Sequence, residues 1–320
     1  MNPLTELYGA VTSLRNTLFD RGVLSSRRLE QPVVSVGNLS VGGSGKTPFV
    51  IALGELLKAR DIRFDVLSRG YGRKTRGVLV VESDGKASDF GDEPLLIARR
   101  LGVPVIVGES RYEAGRVAER KFQSQLHILD DGFQHRSLAR DFDIVMVTER
   151  DVFDKLLPSG RLREPLPSLA RADAIVLPRG LPLESRMLAR KLFWRIEREL
   201  LLTNPPSRPV VFCGIARPEQ FFTQVRAAGI TPAAEIIFRD HHAYDLDDIQ
   251  ALIRASRDSQ ADGFLTTEKD AINLGAIQQL GPNQHGLDPL AVAQLKLMID
   301  HPTDVVDAIL TRIRERKPRS

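Results

Sequence analysis

The chain has 320 residues, a length that allows one large domain or two moderate ones with buried cores. It is 42% hydrophobic and 27% charged with a net charge of +4, the composition of an ordinary globular protein. The single cysteine, Cys213, excludes an internal disulfide and fits a reducing compartment. No apolar run is long enough to span a bilayer, so we expect any membrane contact to be peripheral.

Residues 3–24 have the pattern of an amphipathic helix. The apolar positions at helical spacing are Leu4, Leu7, Val11, Leu14 and Leu18. The pattern fits a helix packed on the core and a helix lying among lipid headgroups equally well. The nearby arginines, which suit an anionic membrane, are Arg15, Arg21, Arg27 and Arg28. A basic tail at 312–319 fits nucleic acid, anionic lipid or solvent alone.

Short Val/Ile/Leu runs then alternate with helical stretches, which predicts an α/β fold. The predicted strands are 33–36, 64–67, 78–81, 103–107, 126–129, 144–147 and 174–177, and the predicted helices between them are 47–59, 93–101 and 112–122. Several strands are continuously apolar, which is typical of a parallel sheet covered on both faces. We therefore expect a P-loop NTPase-like, mostly parallel sheet flanked by helices.

A change in composition at residues 203–208 suggests a domain boundary. The charged stretch before it, 187–202, is interpreted as a helix. A second α/β unit is predicted after it, with strands at 209–214, 234–238 and 263–266 and helices at 218–228 and 246–257. We expect a larger domain over residues 1–203 and a smaller α/β domain over residues 204–320 that contributes to the cleft.

The strongest motif is a glycine-rich loop between a predicted strand and a predicted helix. It consists of Ser40, Val41, Gly42, Gly43, Ser44, Gly45, Lys46 and Thr47. Glycines let backbone N–H groups approach phosphate oxygens closely, so this composition predicts a nucleotide site. Lys46 is expected at the β- and γ-phosphates and the Thr47 hydroxyl at Mg²⁺. Ser40 stands where the common pattern has glycine, and Gly42 and Gly43 provide the turn instead.

Two carboxylates, Asp130 and Asp131, follow the apolar strand at 126–129. With Gly-Lys-Thr upstream, this arrangement predicts the second half of a magnesium site. The Asn-Lys-x-Asp element of GTPases is missing, and Thr267-Glu268-Lys269-Asp270 resembles it only in part, which favours ATP.

Four further clusters offer groups for catalysis or acceptor binding, each with a purely structural alternative. Ser68 and Tyr71 lie in a glycine-rich turn after a strand, and Asp92 and Glu93 begin a helix that they could equally cap. Arg111, which follows another strand, also fits a surface position. The fourth cluster is Asp240-His241-His242, which is consistent with a metal site, a base or loop polarity.

Taken together, these blocks resemble the tetraacyldisaccharide 4′-kinase family over most of the chain. The blocks are Val36-Gly37-Asn38, 42–48, Ser68-Arg69-Gly70-Tyr71-Gly72, Gly91-Asp92-Glu93-Pro94, Asp130-Asp131-Gly132-Phe133-Gln134-His135, 157–160 with Leu162-Arg163-Glu164, Asp240-His241 and 267–270. The resemblance implies an ATP- and Mg²⁺-dependent kinase of the lipid A pathway. Its acceptor would be the 4′-hydroxyl of a tetraacylated glucosamine disaccharide 1-phosphate, giving lipid IVA.

The resemblance also implies roles for single residues. Lys46 and Thr47 would bind ATP and Mg²⁺, with Asp130 and Asp131 completing the metal site. Asp92 would activate the sugar hydroxyl, oriented by His241 from the second domain. The expected substrate-site residues are Ser68, Tyr71, Glu93, Arg111 and His135.

The same resemblance implies a peripheral enzyme on the cytoplasmic face of the inner membrane, which the N-terminal helix would contact. A P-loop ATPase that drives a protein or metal partner, without phosphorylating a lipid, is the alternative. The basic tail lacks interleaved aromatic residues, so we expect no nucleic-acid partner.

Overall fold

The computed structural model describes residues 2–182, 190–278 and 286–316. In its first part the elements are α1 (Pro3–Asp20), β1 (Val33–Asn38), α2 (Lys46–Lys58), β2 (Phe64–Ser68), β3 (Leu79–Val80), α3 (Ala87–Phe90), α4 (Asp92–Leu101), β4 (Val105–Val107), α5 (Arg111–Lys121), β5 (Leu126–Asp130), β6 (Phe142–Met146), α6 (Glu149–Phe153), a 3₁₀ helix (Leu166–Arg171) and β7 (Ala174–Pro178). The predicted strands and helices of this part are confirmed, with bounds shifted by a few residues.

The remaining elements are β8 (Leu192–Leu201), β9 (Val210–Cys213), α7 (Pro218–Ala227), β10 (Ala234–Ile237), α8 (Leu246–Ser259), β11 (Phe264–Thr267), α9 (Glu268–Gln278), β12 (Leu290–Ile299) and α10 (Pro302–Arg316). The sequence patterns did not predict β12 or α10. The basic residues Arg312, Arg314 and Arg316 belong to α10, whereas Lys317 and Arg319 lie outside the described residues.

A single sheet of twelve strands contains the described strands in the order β10-β9-β11-β12-β8-β7-β6-β1-β5-β2-β4-β3. β1 lies between β5 and β6 and is parallel to both, and among the described strands only β12–β8 and β3–β4 pair antiparallel. The carboxyl ends of β1, β2 and β5 therefore meet at one edge of the sheet, where doubly wound folds bind ligands. The predicted α/β fold class is confirmed.

The interpretation of residues 187–202 as a helix is wrong where the structure describes them, since Leu192–Leu201 form strand β8. Trp194 and Ile196 are buried, and the residues between and beyond them are more exposed. This alternation has the period of two that a half-buried strand requires. The high charge of the segment concealed its period, because the solvent side of a strand tolerates charge as well as that of a helix does.

The two parts of the chain are joined by the antiparallel pair of β8 and β12 and by α10. Residues of α10 are buried in the same core as Phe49 of α2 and Phe142 of β6; they are Val305, Val306, Ile309 and Ile313. A separate core around Phe212 and Tyr244 lies under α8. The chain thus returns at its end to the first core, and the boundary at residue 203 stays a prediction.

Helix α1 contacts the rest of the protein through its polar side. Leu4, Leu7 and Leu14 are 61–62% exposed, whereas Asn16 is buried. Asn16 Nδ2 donates to Glu164 Oε2 at 2.6 Å, and Tyr8 Oη donates to the backbone oxygen of Arg163. The helix therefore packs on the protein with its apolar stripe turned outward. No helix of the described residues is long and apolar enough to cross a membrane.

Replacing Ile309 with alanine tests the packing of α10 on the first core. Ile309 is 1% exposed, so Ile309→Ala leaves a cavity and should lower the free energy of unfolding by about 2–5 kcal/mol in urea titrations. The exposed Arg314 of the same helix gives a matched control, since Arg314→Ala removes no core contact. Equal stabilities of the two variants would contradict this packing.

Candidate active site

A cavity of about 810 Å³ opens at the carboxyl edge of β1, β2 and β5. One wall is the loop of residues 40–47, and the others come from the start of α4, from β8, from the start of α7 and from residues 240–241 and 267–269. Both parts of the chain therefore line one cavity. Its size matches that of a site for a small molecule or cofactor.

The glycine-rich loop has the backbone conformation that its sequence predicts. Gly42, Gly43 and Gly45 have φ values of 75°, 52° and 90°, a left-handed region that side chains with a Cβ rarely adopt. Gly45 is the N-cap of α2, so the helix begins at Lys46 and directs its free N–H groups into the loop. Ser44 Oγ is buried there without a hydrogen-bond partner among the described residues. The loop is thus built to bind an anion.

Lys46 reaches the end of β5 rather than the middle of the loop. Its Nζ lies 3.1 Å from Asn38 Oδ1 and 3.4 Å from Asp131 Oδ1. Arg163 binds the same carboxylate with two contacts, at 2.9 and 2.7 Å, and also donates to Asn38. Burial alone would raise the pKa of Asp131, but the hydrogen bond from Arg163 and the charge of Lys46 lower it. Asp131 is therefore ionised and contacts two cations, Lys46 and Arg163.

Asp130 has a different environment although it is the adjacent residue. Ser68 Oγ donates to its Oδ2 at 3.1 Å, while its Oδ1 is buried without a partner among the described residues. Burial and the nearby charges of Glu93 and Asp131 raise the pKa of Asp130 to about 7. A carboxylate with a free oxygen and an unfavourable negative charge is suited to bind a cation. Thr47, the other predicted metal ligand, is buried at the start of α2 in the same cavity wall.

Asp92 and His241 meet although 149 positions separate them in the chain. Nδ1 of His241 lies 2.8 Å from Asp92 Oδ2 and 3.0 Å from Oδ1, and Asn273 donates to Oδ2 at 3.3 Å. His241 has a φ of 58°, an uncommon conformation for a residue with a Cβ, and such strain concentrates at functional sites. His241 and Glu93 line the cavity, and Asp92, 4% exposed, lies directly behind them.

Each member of this pair favours the charged form of the other. Burial alone would raise the pKa of Asp92, but the hydrogen bond from His241 and the charge of Lys269 lower it. Burial alone would lower the pKa of His241, but the contact with Asp92 raises it. Asp92 also lies in the first turn of α4, where the helix dipole stabilises a negative charge.

Lys269 completes this cluster and was not singled out by the sequence patterns beyond its place in the block 267–270. Its Nζ lies 3.1 Å from Nε2 of His241, 3.4 Å from Asp240, 3.5 Å from Glu93 and 3.7 Å from Asp92. An ammonium donates only, so in the neutral imidazole Nε2 of His241 accepts from Lys269 and Nδ1 carries the proton toward Asp92. Lys269 thereby selects the tautomer of the imidazole.

Three of the five predicted substrate-site residues line the cavity and two do not. Ser68, Tyr71 and Glu93 line the cavity, and the ring of Tyr71 lies 5.2 Å from that of His241. Arg111 is buried, and its Nη1 donates to the backbone oxygen of Glu109. His135 contacts Ser137 Oγ at 3.2 Å. Neither Arg111 nor His135 belongs to the cavity wall formed by the described residues.

His135 is neutral in this environment. Burial and the charges of Arg111 and Arg140 lower its pKa to about 4. His242, the neighbour of His241, points elsewhere: its Nε2 lies 2.7 Å from Asp248, and its ring stacks on Phe238. Among the described residues no group of three or more His, Cys, Asp or Glu side chains could hold a metal ion by itself. The adjacent histidines therefore contact different carboxylates, Asp92 and Asp248.

Comparison with known proteins agrees with this geometry. A family model described as LpxK, tetraacyldisaccharide-1-P 4′-kinase, matches residues 1–314. A tetraacyldisaccharide 4′-kinase from Koribacter versatilis is 48% identical over 327 residues, covering 99% of this chain and 100% of the relative, and one from Aquifex aeolicus is 40% identical over 85% and 88% of the two chains.

The fold comparison reaches the same family. The crystal structure of the "apo" form of LpxK from Aquifex aeolicus in complex with ATP matches with a TM-score of 0.78 and 34% identity. The match covers 97% of this chain and 98% of that one, so it extends over both cores and the sheet that joins them. The chain belongs to the tetraacyldisaccharide-1-phosphate 4′-kinase family.

Proposed function

We propose that this protein transfers the γ-phosphate of ATP to the 4′-hydroxyl of a tetraacylated glucosamine disaccharide 1-phosphate. Beside family membership, one observation carries the proposal: His241, which is hydrogen-bonded to Asp92, lines the same cavity as the glycine-rich loop. A phosphate site facing a hydrogen-bonded carboxylate–imidazole pair is the arrangement that phosphoryl transfer to an alcohol needs. An ATPase that only drives a partner protein needs no such base.

ATP binding is assigned to residues 40–47. The backbone N–H groups of this loop and the start of α2 provide the donors for the phosphates, and Lys46 provides the mobile charge. Lys46 is held by Asn38 and Asp131, both of which can release it toward a phosphate. A related protein of this family forms a complex with ATP, which supports the assignment.

Thr47 and Asp130 would hold a Mg²⁺ ion, and the free, buried Oδ1 of Asp130 is the observation that favours it. Both oxygens of Asp131 are already bound by Arg163, so we assign Asp131 to the outer contacts of the ion. The ion would neutralise charge on the transferring phosphoryl group.

The acceptor hydroxyl is deprotonated by the Asp92–His241 pair in this proposal. The pKa of Asp92 is lowered, so its carboxylate is ionised at neutral pH and can accept the proton. The Nδ1–H of His241 orients this carboxylate, and Lys269 holds the imidazole from its other nitrogen. Glu93, Tyr71 and the other cavity residues then contact the sugar.

The acyl chains explain the outward apolar stripe of α1. A substrate with four acyl chains must be met at a membrane surface, and Leu4, Leu7, Val11 and Leu14 are all exposed on one helix. The polar side of this helix is fixed to Glu164, next to the Arg163 that binds Asp131. We therefore place the protein peripherally on the cytoplasmic face of the inner membrane, where ATP is available.

Replacing Lys46 with alanine tests the kinase itself. Lys46→Ala removes a cation that stabilises the transferring charge, so lipid phosphorylation should fall by roughly 10²–10³-fold. Thin-layer chromatography, which separates labelled lipid from γ-labelled ATP, measures the rate of lipid phosphorylation. Lys296→Ala, at an exposed position, is the control. Phosphate release that is independent of lipid, with no labelled lipid product, would favour the ATPase alternative.

Lys269→Met tests the role assigned to Lys269 as a positioning residue. Its charge lowers the pKa values of both His241 and Asp92, so we expect both to rise in the variant. The doubly protonated imidazole of His241 should therefore persist to higher pH in the variant than in wild type, which NMR of labelled histidine measures. A pKa of His241 unchanged from wild type would refute the assignment, and Lys296→Met is the control.

Substitutions in the apolar stripe test membrane contact without disturbing the packing of α1. Leu7→Ser with Leu14→Ser removes exposed apolar area and keeps Asn16 and its partner Glu164, so cosedimentation with anionic vesicles should decrease. Leu246→Ser changes a leucine that is 57% exposed on α8 and serves as the control. Vesicle binding that stays at the wild-type level would return α1 to a purely structural role.

A further inference from the structure

The direction of phosphoryl transfer determines where the rest of the nucleotide lies. The attacking and leaving oxygens are roughly in line through the transferred phosphorus, so the diphosphate lies on the side opposite the acceptor. The acceptor side carries Ser68 at the end of β2 and Glu93 at the start of α4. From the central strand β1, these elements lie on the β5 side of the sheet, and β6, β7 and β8 lie on the other side.

Two arginines reach the glycine-rich loop from that other side. Arg198 of β8 donates from Nη2 to the backbone oxygen of Ser44 at 3.0 Å. A Cβ placed on Gly45 would lie 2.9 Å from the same Nη2, and a Cβ placed on Gly43 would lie 3.0 Å from Nε of Arg217. Both guanidinium groups therefore lie against the loop, and both line the cavity.

Neither arginine has an ion-pair partner among the described residues. Arg198 donates its remaining Nη1 to the neutral amide of Gln220 at 2.6 Å. Arg217 contacts only the hydroxyl of Thr148, at 3.4 Å, and its Nε is buried without a partner. Asp151, the carboxylate that acts on Arg217 from a distance, accepts hydrogen bonds from Thr148.

This environment is unfavourable for two cations. Burial lowers the pKa of Arg198, and burial together with the charge of Arg198 lowers that of Arg217. In contrast, the exposed arginines Arg179 and Arg226 form ion pairs with carboxylates. Two half-buried guanidinium groups without a carboxylate partner are stabilised when an anion binds to them.

The cavity wall also has an apolar part. It consists of Leu200, Ile215, Leu295 and Phe221 of α7, and the amides of Gln220 and Gln224 on the same helix line the cavity as well. An apolar pocket with a few amide groups is what a purine base requires, since its faces are apolar and its edge donates and accepts hydrogen bonds.

We propose that Arg198 and Arg217 bind the α- and β-phosphates of the nucleotide and that the base occupies the apolar part of the cavity beside α7. The inference rests on the proposed function. In it, the two guanidinium groups neutralise the charge that develops on the leaving β-phosphate oxygen as its bond to the γ-phosphorus breaks. The second part of the chain then binds the leaving group as well as providing His241.

Equilibrium binding of ADP and AMP to the full chain tests the inference without the lipid. Arg198→Ala and Arg217→Ala each remove a charge-assisted contact to phosphate, so ADP should bind about tenfold or more weakly, with a smaller loss for AMP. The slope of ADP affinity against salt concentration should also become shallower. Arg226→Ala, which removes a surface ion pair between α7 and β10, should leave ADP affinity unchanged.

Conservative variants keep the test valid if an alanine variant unfolds. Arg198→Lys and Arg217→Lys retain the charge but lose the planar fork, so they should bind ADP more weakly than wild type and more tightly than the alanine variants. ADP affinity within twofold of wild type in all four arginine variants would overturn the inference. If Lys46→Ala also left ADP affinity unchanged, the nucleotide site of the proposed function would itself be wrong.

Discussion

The hydrogen bond between Asp92 and His241 is the contact on which the arrangement of this protein depends. It joins the start of α4 in the first part of the chain to a loop of the second part. The pair can form because β8 and β12 join the strands of the two parts in one sheet and α10 returns to the first core. Lys269, at the start of α9, balances the negative charges of the carboxylates around it.

A second set of contacts links helix α1 to the glycine-rich loop through two consecutive residues. Arg163 binds Asp131 and Asn38 beside the glycine-rich loop, and Glu164 binds Asn16 of α1 and Arg171. Because Glu164 is buried, its charge requires both partners. The orientation of the exposed stripe of α1 is therefore set by the same segment that binds Asp131 beside the glycine-rich loop.

The charged groups around the cavity differ in whether they have partners of opposite charge. Asp131 is neutralised by cations, whereas among the described residues Asp130 has an oxygen without a partner and Arg198 and Arg217 have no carboxylate partner. In the proposed function, a metal-bound triphosphate would balance these charges.

The features that the sequence could predict by itself are those that depend on residues close together in the chain. The glycine-rich loop, the strands before it and beside it, the helix after it and the acidic end of β5 are read from neighbouring residues, because glycine conformations and apolar runs act over a few positions. Distinctive blocks also indicated the family and paired Asp92 with His241. The same local reasoning misassigned β8, where charge obscured the period of two.

Only the tertiary structure decided the partners of each charge. Nothing near Lys269, Arg163, Arg198 or Arg217 in the sequence indicates that they meet His241, Asp131 and the loop at Ser44 and Gly43. It also turned the apolar stripe of α1 outward, which the helical period alone left open. The physical reason is that electrostatic contacts and burial depend on distance through space, and the twelve-stranded sheet brings together residues that the chain separates by more than a hundred positions.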